Sequence, residues 1–302
     1  MPGEFLFAKA LWASVLIGVL LPIVGRHLVL GRAVLLGLAI PQIAMAGIAF
    51  VFLGASLHWP WAESLHEESS KALVGSLLFG LPGLFLIAMP WKRQARVSEA
   101  WLAVVYLASV SATNLMLATD AVGETYLSDL FHGRLLFIGD TELRMLGITL
   151  ITGFIFLFAF RRRLLLTLTD PDYACVAGLA VGGWTIAATL VNGMVIGITV
   201  ATAGPLVAFG FLVLPVLTAA TFAKSLRGNL WLSMLAGLTI SLAGFWLSYH
   251  FDFPMGDSVV ATGCGMLLVS KGLRLGFSCG KQSNPKQLQT IAPSESKDNN
   301  LS

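Results

Sequence analysis

Nine apolar runs, each long enough to cross a bilayer as a helix, divide this chain at residues 5–25, 33–56, 72–91, 99–119, 143–160, 176–197, 202–223, 230–249 and 257–273. Spanning a hydrocarbon core takes about 20 apolar residues, and a helix is required because lipid supplies no partner for a backbone N–H or C=O. Charged residues are only 12% of the 302, and mean hydropathy is +0.82. A soluble domain carries about twice that charge. The expected fold is therefore all-α, a polytopic transmembrane helix bundle with nine crossings, eight being the alternative count.

Charge sorts across these runs. Arg26, Arg32, Lys92, Arg93, Arg96, Arg161, Arg162, Arg163, Lys224, Arg227, Lys271 and Arg274 fall on one side of the count. Glu63, Glu67, Glu68, Asp120, Glu124, Asp129, Asp140, Glu142, Asp252 and Asp257 fall on the other. Loops rich in Lys and Arg stay in the cytoplasm, which puts the N-terminus outside and the C-terminus inside. A missed or invented crossing would invert every later loop. The net charge of +3 then reflects topology and gives no basic stripe for nucleic acid. Short loops leave no room for a soluble catalytic domain. Cys175, Cys264 and Cys279 lack metal or disulfide spacing, and the first run lacks the features of a cleaved signal, so it reads as a retained helix. Residues 1–276 form the transmembrane domain, and from 277 to 302 the apolar period ends in an expected disordered cytoplasmic tail.

One polar island, RRRLLLTLTDPDYACVAG from Arg161 to Gly178, interrupts the apolar runs. Asp170 suits a helix cap, Pro171 the first helical position, Asp172 the positive N-terminal end, and Gly178 a left-handed closing turn. A two-turn helix is predicted. A helix so short needs a surface to lie on, which makes it a docking candidate. Arg161–Arg163, taken alone, read as anchors for anionic headgroups.

Other signals are weaker. The loop His58–Ser70 opens with Trp59 and Trp61, where interfacial aromatics sit, and its His58, His66, Glu63, Glu67 and Glu68 read first as a solvated loop. Residues 120–142 carry an amphipathic YLSDLFHGRLLFIG that either lies on the outer surface or re-enters the bundle. Gln42 is the one strongly polar side chain in its helix, and it is expected to face the bundle or a cavity, an interhelical bond to Asn114 being the simpler alternative. Ser111 and Asn114 share a helix face and are candidate pathway residues. Asn192 and Thr199 read as interhelical glue. No His pairs with another at ligand spacing, so no metal site is assigned, and no cofactor is expected.

Four stretches resemble the permease subunits of metal-importing ATP-binding-cassette transporters of the zinc, manganese and iron type. They are the island through Asp172, Ala174 and Gly178; Gly204–Ala223 through Gly204 and Pro215; Phe251–Val260 through Asp252, Pro254 and Gly256; and Leu28–Phe50 through Gly37 and Gly47. The resemblance implies half of a permease dimer in the inner (cell) membrane, served by a cytoplasmic ATP-binding subunit and an extracytoplasmic substrate-binding protein. It also implies that Asp170, Asp172, Ala174 and Gly178 couple to the ATPase. In the second helix the family's Asp and His are Leu38 and Gln42 here. A neutral amide is a poor zinc ligand, although its carbonyl oxygen suits a harder cation.

No phosphate-binding loop is present, since GFSCGKQ from Gly276 has the wrong glycine spacing. Hydrolysis is therefore expected on another chain, and the protein is not itself an enzyme. A secondary carrier would show inverted halves with paired charges at mid-membrane, and an intramembrane serine protease would need a Ser-Gly nucleophile with a His deep in a helix. Neither pattern occurs. A pure scaffold, or a permease with a cargo other than zinc, remains the alternative.

Overall fold

The described part of each apolar run is mainly helical, as lipid demands. The computed structural model of the chain describes residues 2–30, 34–63, 65, 67–88, 99–118, 125, 126, 128–130, 135, 138–223 and 225–281. The helices are α1 (Pro2–Leu30), α2 (Val34–Ser56), α3 (Pro60–Glu63), α4 (Glu68–Ala88), α5 (Glu99–Leu117), α6 (Asp140–Ala159), α7 (Arg161–Thr169), α8 (Pro171–Val176), α9 (Val181–Ala203), α10 (Pro205–Phe222), α11 (Leu226–Phe251) and α12 (Met255–Lys281). No strand occurs among the described residues. Seven of them, α1, α2, α5, α6, α9, α10 and α11, are long and apolar enough to cross a membrane. The two remaining apolar runs lie in α4 and α12, of 21 and 27 residues. Because α12 continues to Lys281, the helix passes the composition change at Phe277. The rest of the expected tail, like Arg32, Lys92, Arg93, Arg96, Asp120, Glu124, His66, His132 and Lys224, lies outside the described residues.

Small residues set the packing. A Cβ on Gly75 of α4 would stand 2.6 Å from the carbonyl oxygen of Gly47 in α2, and one on Gly18 of α1 would stand 2.7 Å from that of Gly237 in α11. Without such residues these backbones could not approach, and close packing is what binds helices in lipid. In the core, Ile40, Met45 and Ile48 of α2 meet the same buried cluster as Phe211 and Leu212 of α10. By contrast, α5 packs on α2 through Leu102 against Ile43, and leaves Trp101, Val104, Leu107 and Leu115 exposed.

Contacts between helix ends show which of them lie together. Lys9 pairs with Asp140 at 2.6 Å, and Ser69 donates to Glu142, so α1, α4 and α6 all begin at one end. At the other, Arg26 of α1 donates to the Leu226 carbonyl of α11 at 3.3 Å, while Phe160 meets Trp184 of α9. The charge sorting is less strict than the sequence count implies, because Lys9, Lys71 and Arg144 stand at the acidic end. The first helix also outlasts the apolar run 5–25. Helix α1 continues beyond Gly25, and both Arg26 and His27 are 4% exposed.

Described parts of the 120–142 segment enter the core. Among its described residues Tyr126, Leu130, Leu135 and Ile138 are buried in the main core, with the Tyr126 ring 5.0 Å from that of Phe52.

Candidate functional site

The island folds as its residues dictate. Asp170 leaves the helical region at φ −145°, ψ 82°, and its Oδ1 accepts the Tyr173 N–H at 3.0 Å. Pro171 follows at the first helical position, where its missing N–H costs nothing. Six residues later the helix stops. Gly178 stands at φ +78°, its N–H bonds to the Cys175 oxygen at 3.1 Å, and the Leu179 N–H reaches back to Ala174 at 3.0 Å. That pair of bonds is the glycine-closed C-terminal turn. Nothing lies within 4 Å of a Cβ built on Gly178, so glycine is needed there for its backbone, not for space.

The helix presents one face. Ala174 is fully buried, whereas Asp170, Asp172, Cys175 and Gly178 are exposed, Tyr173 is 61% exposed and Val176 87%. The arm carrying it is held by aromatic rings: the Arg161 guanidinium lies 4.6 Å over Phe158, and Arg163 lies 5.2 Å over Trp184. Such contacts are worth about 0.5–1 kcal/mol each where water reaches them. They tie α7 to the end of α6 and the start of α9.

The pathway candidates do not form one cluster. Gln42 sits in α2 with its Oε1 buried and without a hydrogen-bond partner, while Asn114 and Ser111 lie on the exposed side of α5. The alternative of a Gln42–Asn114 bond is thereby overturned, because Asn114 points away from the chain's own core. Asn192 is likewise buried with an unpartnered Oδ1, and Thr199 donates to the Val195 carbonyl of its own helix at 2.7 Å. Neither the Asn192 Oδ1 nor the Thr199 hydroxyl, both expected to act as interhelical glue, thus bonds to a neighbouring helix. Among the described residues no group of three His, Cys, Asp or Glu could hold a metal.

The motif residues are structural pivots. Gly37 faces Val213 of α10, and Gly47 meets α4. Gly204 breaks the long rod between α9 and α10 at φ +86°, ψ 164°, a region open only to glycine, and Pro205 starts the next helix. Pro215 is buried inside α10. Asp252 ends α11 at φ +52°; Pro254 then accepts the Ser258 hydroxyl at 2.9 Å and Gly256 is buried in the first turn of α12. Near the acidic end lies an open cleft of about 240 Å³ lined by Glu67, Ser69, Asp140 and Glu142. Glu142, 8% exposed, also accepts the Gly139 N–H at 3.0 Å. Local pattern put Glu142 in a loop, and only its tertiary bond to Ser69, 73 residues away, reveals its place.

Comparison with known proteins follows the same lines. The profile of the ABC 3 transport family matches residues 4–273. A manganese import system permease protein, ScaB of Streptococcus gordonii, is 26% identical over 264 residues, which are 87% of this chain and 89% of that protein. A probable iron transport system membrane protein of Haemophilus influenzae is 26% identical over 262 residues, 86% of this chain and 90% of the other. In fold, the chain superposes on PsaBC from Streptococcus pneumoniae in complex with Fab with a TM-score of 0.68 at 22% identity, covering 87% of this chain and 90% of that one.

Proposed function

Because the chain belongs to the ABC 3 transport family, we propose that it is the membrane subunit of an importer moving a divalent metal cation inward by alternating access. The chain is a multi-pass membrane protein. The match across residues 4–273 carries this reading, since it spans nearly the whole helical bundle. In the proposed arrangement two copies enclose the path, the N-terminus lies outside, nine helices cross, and the C-terminus is cytoplasmic.

Energy arrives from a separate ATPase. The exposed face of α8, through Asp170, Asp172 and Val176, is where that subunit docks, and Ala174 seats the helix on the bundle. From Gly178 the chain enters α9 at Val181, so a push on α8 is delivered to a rod that ends at the Gly204 break. An extracytoplasmic binding protein delivers the cargo at the opposite end, where Glu67, Asp140 and Glu142 line the cleft.

The cargo is a cation harder than zinc. Gln42 stands where the family carries an imidazole, and amide oxygen favours hard divalent ions such as manganese. Relatives named for manganese and iron support this choice. Ser111 and Asn114, exposed on α5, would meet the second copy and extend the oxygen-rich path. The test is uptake of radioactive Mn²⁺ by liposomes holding the chain and its ATPase, with the binding protein supplied on the cargo side. ATP-dependent uptake is expected, and uptake with no nucleotide hydrolysis would refute the reading.

A further inference from the structure

Helix α7 begins with the wrong charge. Its first turn is Arg161, Arg162 and Arg163, no acidic residue stands there, and Phe160 supplies no side-chain cap. A helix N-terminus carries unsatisfied N–H groups and about half a positive charge, so cations are disfavoured there and anions favoured. The next helix obeys this rule, with Asp170 and Asp172 at its start. Three adjacent guanidiniums at an uncapped N-terminus therefore call for an anion from elsewhere.

Among the described residues no acid pairs with these guanidiniums. The ion pair described in the structure, Lys9–Asp140, lies at the opposite end of α6. Instead a further guanidinium lies near Arg161: Arg26 is buried within electrostatic reach of it, donates to the Leu226 carbonyl, and leaves Nε without an acceptor. Like charges gather, and a buried guanidinium donor stays open.

The surroundings identify the anion. Met145, Ile148, Ile151, Ile155 and Phe158 are all exposed and follow one another at three or four residues along α6, which makes a single apolar stripe. It leads to exposed Arg162, one turn past Phe158, and Arg161 is folded over the Phe158 ring. An acyl chain laid on that stripe ends with its phosphate at the arginines. An acidic protein partner would not need the stripe.

We propose that Arg161–Arg163 and the N-terminus of α7 bind the phosphate of an anionic phospholipid of the cytoplasmic leaflet, its chains lying along the exposed face of α6. The proposal rests on the orientation given above, with the basic end inside. The lipid fixes α7, and hence the direction in which α8 is held out. Lipid retention is read without transport, so its failure and that of the importer reading are distinguishable.

The experiment reconstitutes the full chain in vesicles of phosphatidylcholine and phosphatidylglycerol in equal parts and measures, by native mass spectrometry after extraction, which lipid stays bound. Phosphatidylglycerol is expected to be enriched. Removing R161, R162 and R163 as R161Q/R162Q/R163Q should lower the enrichment about 5-fold per arginine. R162Q alone alters an exposed side chain with no ring contact and should show the single-step loss in a folded protein, while R144Q, exposed at the opposite end of α6, should show none. Equal retention in R162Q and the unaltered chain overturns the proposal. So does protection by inorganic phosphate equal to that by phosphatidylglycerol, which would make the ligand a free anion, or loss of ATPase binding in R162Q with lipid retained, which would assign the arginines to the partner.

Discussion

A Cβ on Gly204 would overlap the carbonyl oxygen of Leu130, while the Gly204 backbone stands at φ +86°, ψ 164°. Two independent constraints thus exclude every other residue. The break between α9 and α10 and the buried Leu130 backbone meet at one position. Gly204→Ala should cost roughly 1–3 kcal/mol from backbone strain, with the overlap added to it. Thermal melting of the detergent-purified protein checks this: a fall of several degrees is expected, and an unchanged midpoint would mean that Leu130 yields freely.

At α8 the expected effect is on coupling and not on insertion. Asp172→Lys reverses the charge at an exposed helix start, where the dipole favours an anion, and should abolish stimulation of the partner ATPase at unchanged membrane level. Gly178→Trp should do the same by straining the φ +78° turn. Asp170→Ala removes the bond to the Tyr173 amide, worth about 1 kcal/mol in a cap, and should weaken stimulation only in part. Hydrolysis and uptake identical to the unaltered chain in all three would end the docking role of α8.

The elements legible beforehand are those whose causes are local. Period and length mark nine apolar segments, and the α8 cap, its proline and its closing glycine act within nine residues. Gly204 with Pro205 announces a break by backbone chemistry alone. What escaped was tertiary. Arg26 and His27 look like a loop start because charge ends an apolar run, yet α10 and α11 cover that end and draw both into the helix. Lys9 breaks the charge sorting because its partner, Asp140, is 131 positions away. The Gln42–Asn114 pairing failed for the same reason: helical phase says which side a residue takes, not which neighbour stands there.

Gln42 offers a sharper test of cargo. Its Oε1 is buried without a partner, a state that costs about 1–3 kcal/mol unless something visits it. Gln42→Ala should therefore leave assembly intact, or even raise the melting temperature, while reducing Mn²⁺ uptake. Gln42→His restores the imidazole and should shift preference towards zinc in competition uptake. Equal uptake of both ions by all three proteins would remove Gln42 from the path.

The hydroxyls of Ser14 and Ser241 bond at 2.6 Å, both fully buried, one turn from the Gly18–Gly237 contact of α1 and α11. Two sources of helix association meet there and can be separated. Hydrogen bonds between membrane helices average about 0.6 kcal/mol, because a freed hydroxyl turns to its own helix backbone. Ser14→Ala should thus be mild, and Ser14→Ala with Ser241→Ala should cost less than the sum of the two single changes. Gly237→Ala is different, since its methyl would overlap the Gly18 carbonyl, and neither backbone can move without the other helices that flank it. Unfolding in mixed micelles should rank Gly237→Ala well below both serine variants. The reverse order would make the hydroxyl pair, and not the close approach of the two backbones, the main tie between α1 and α11.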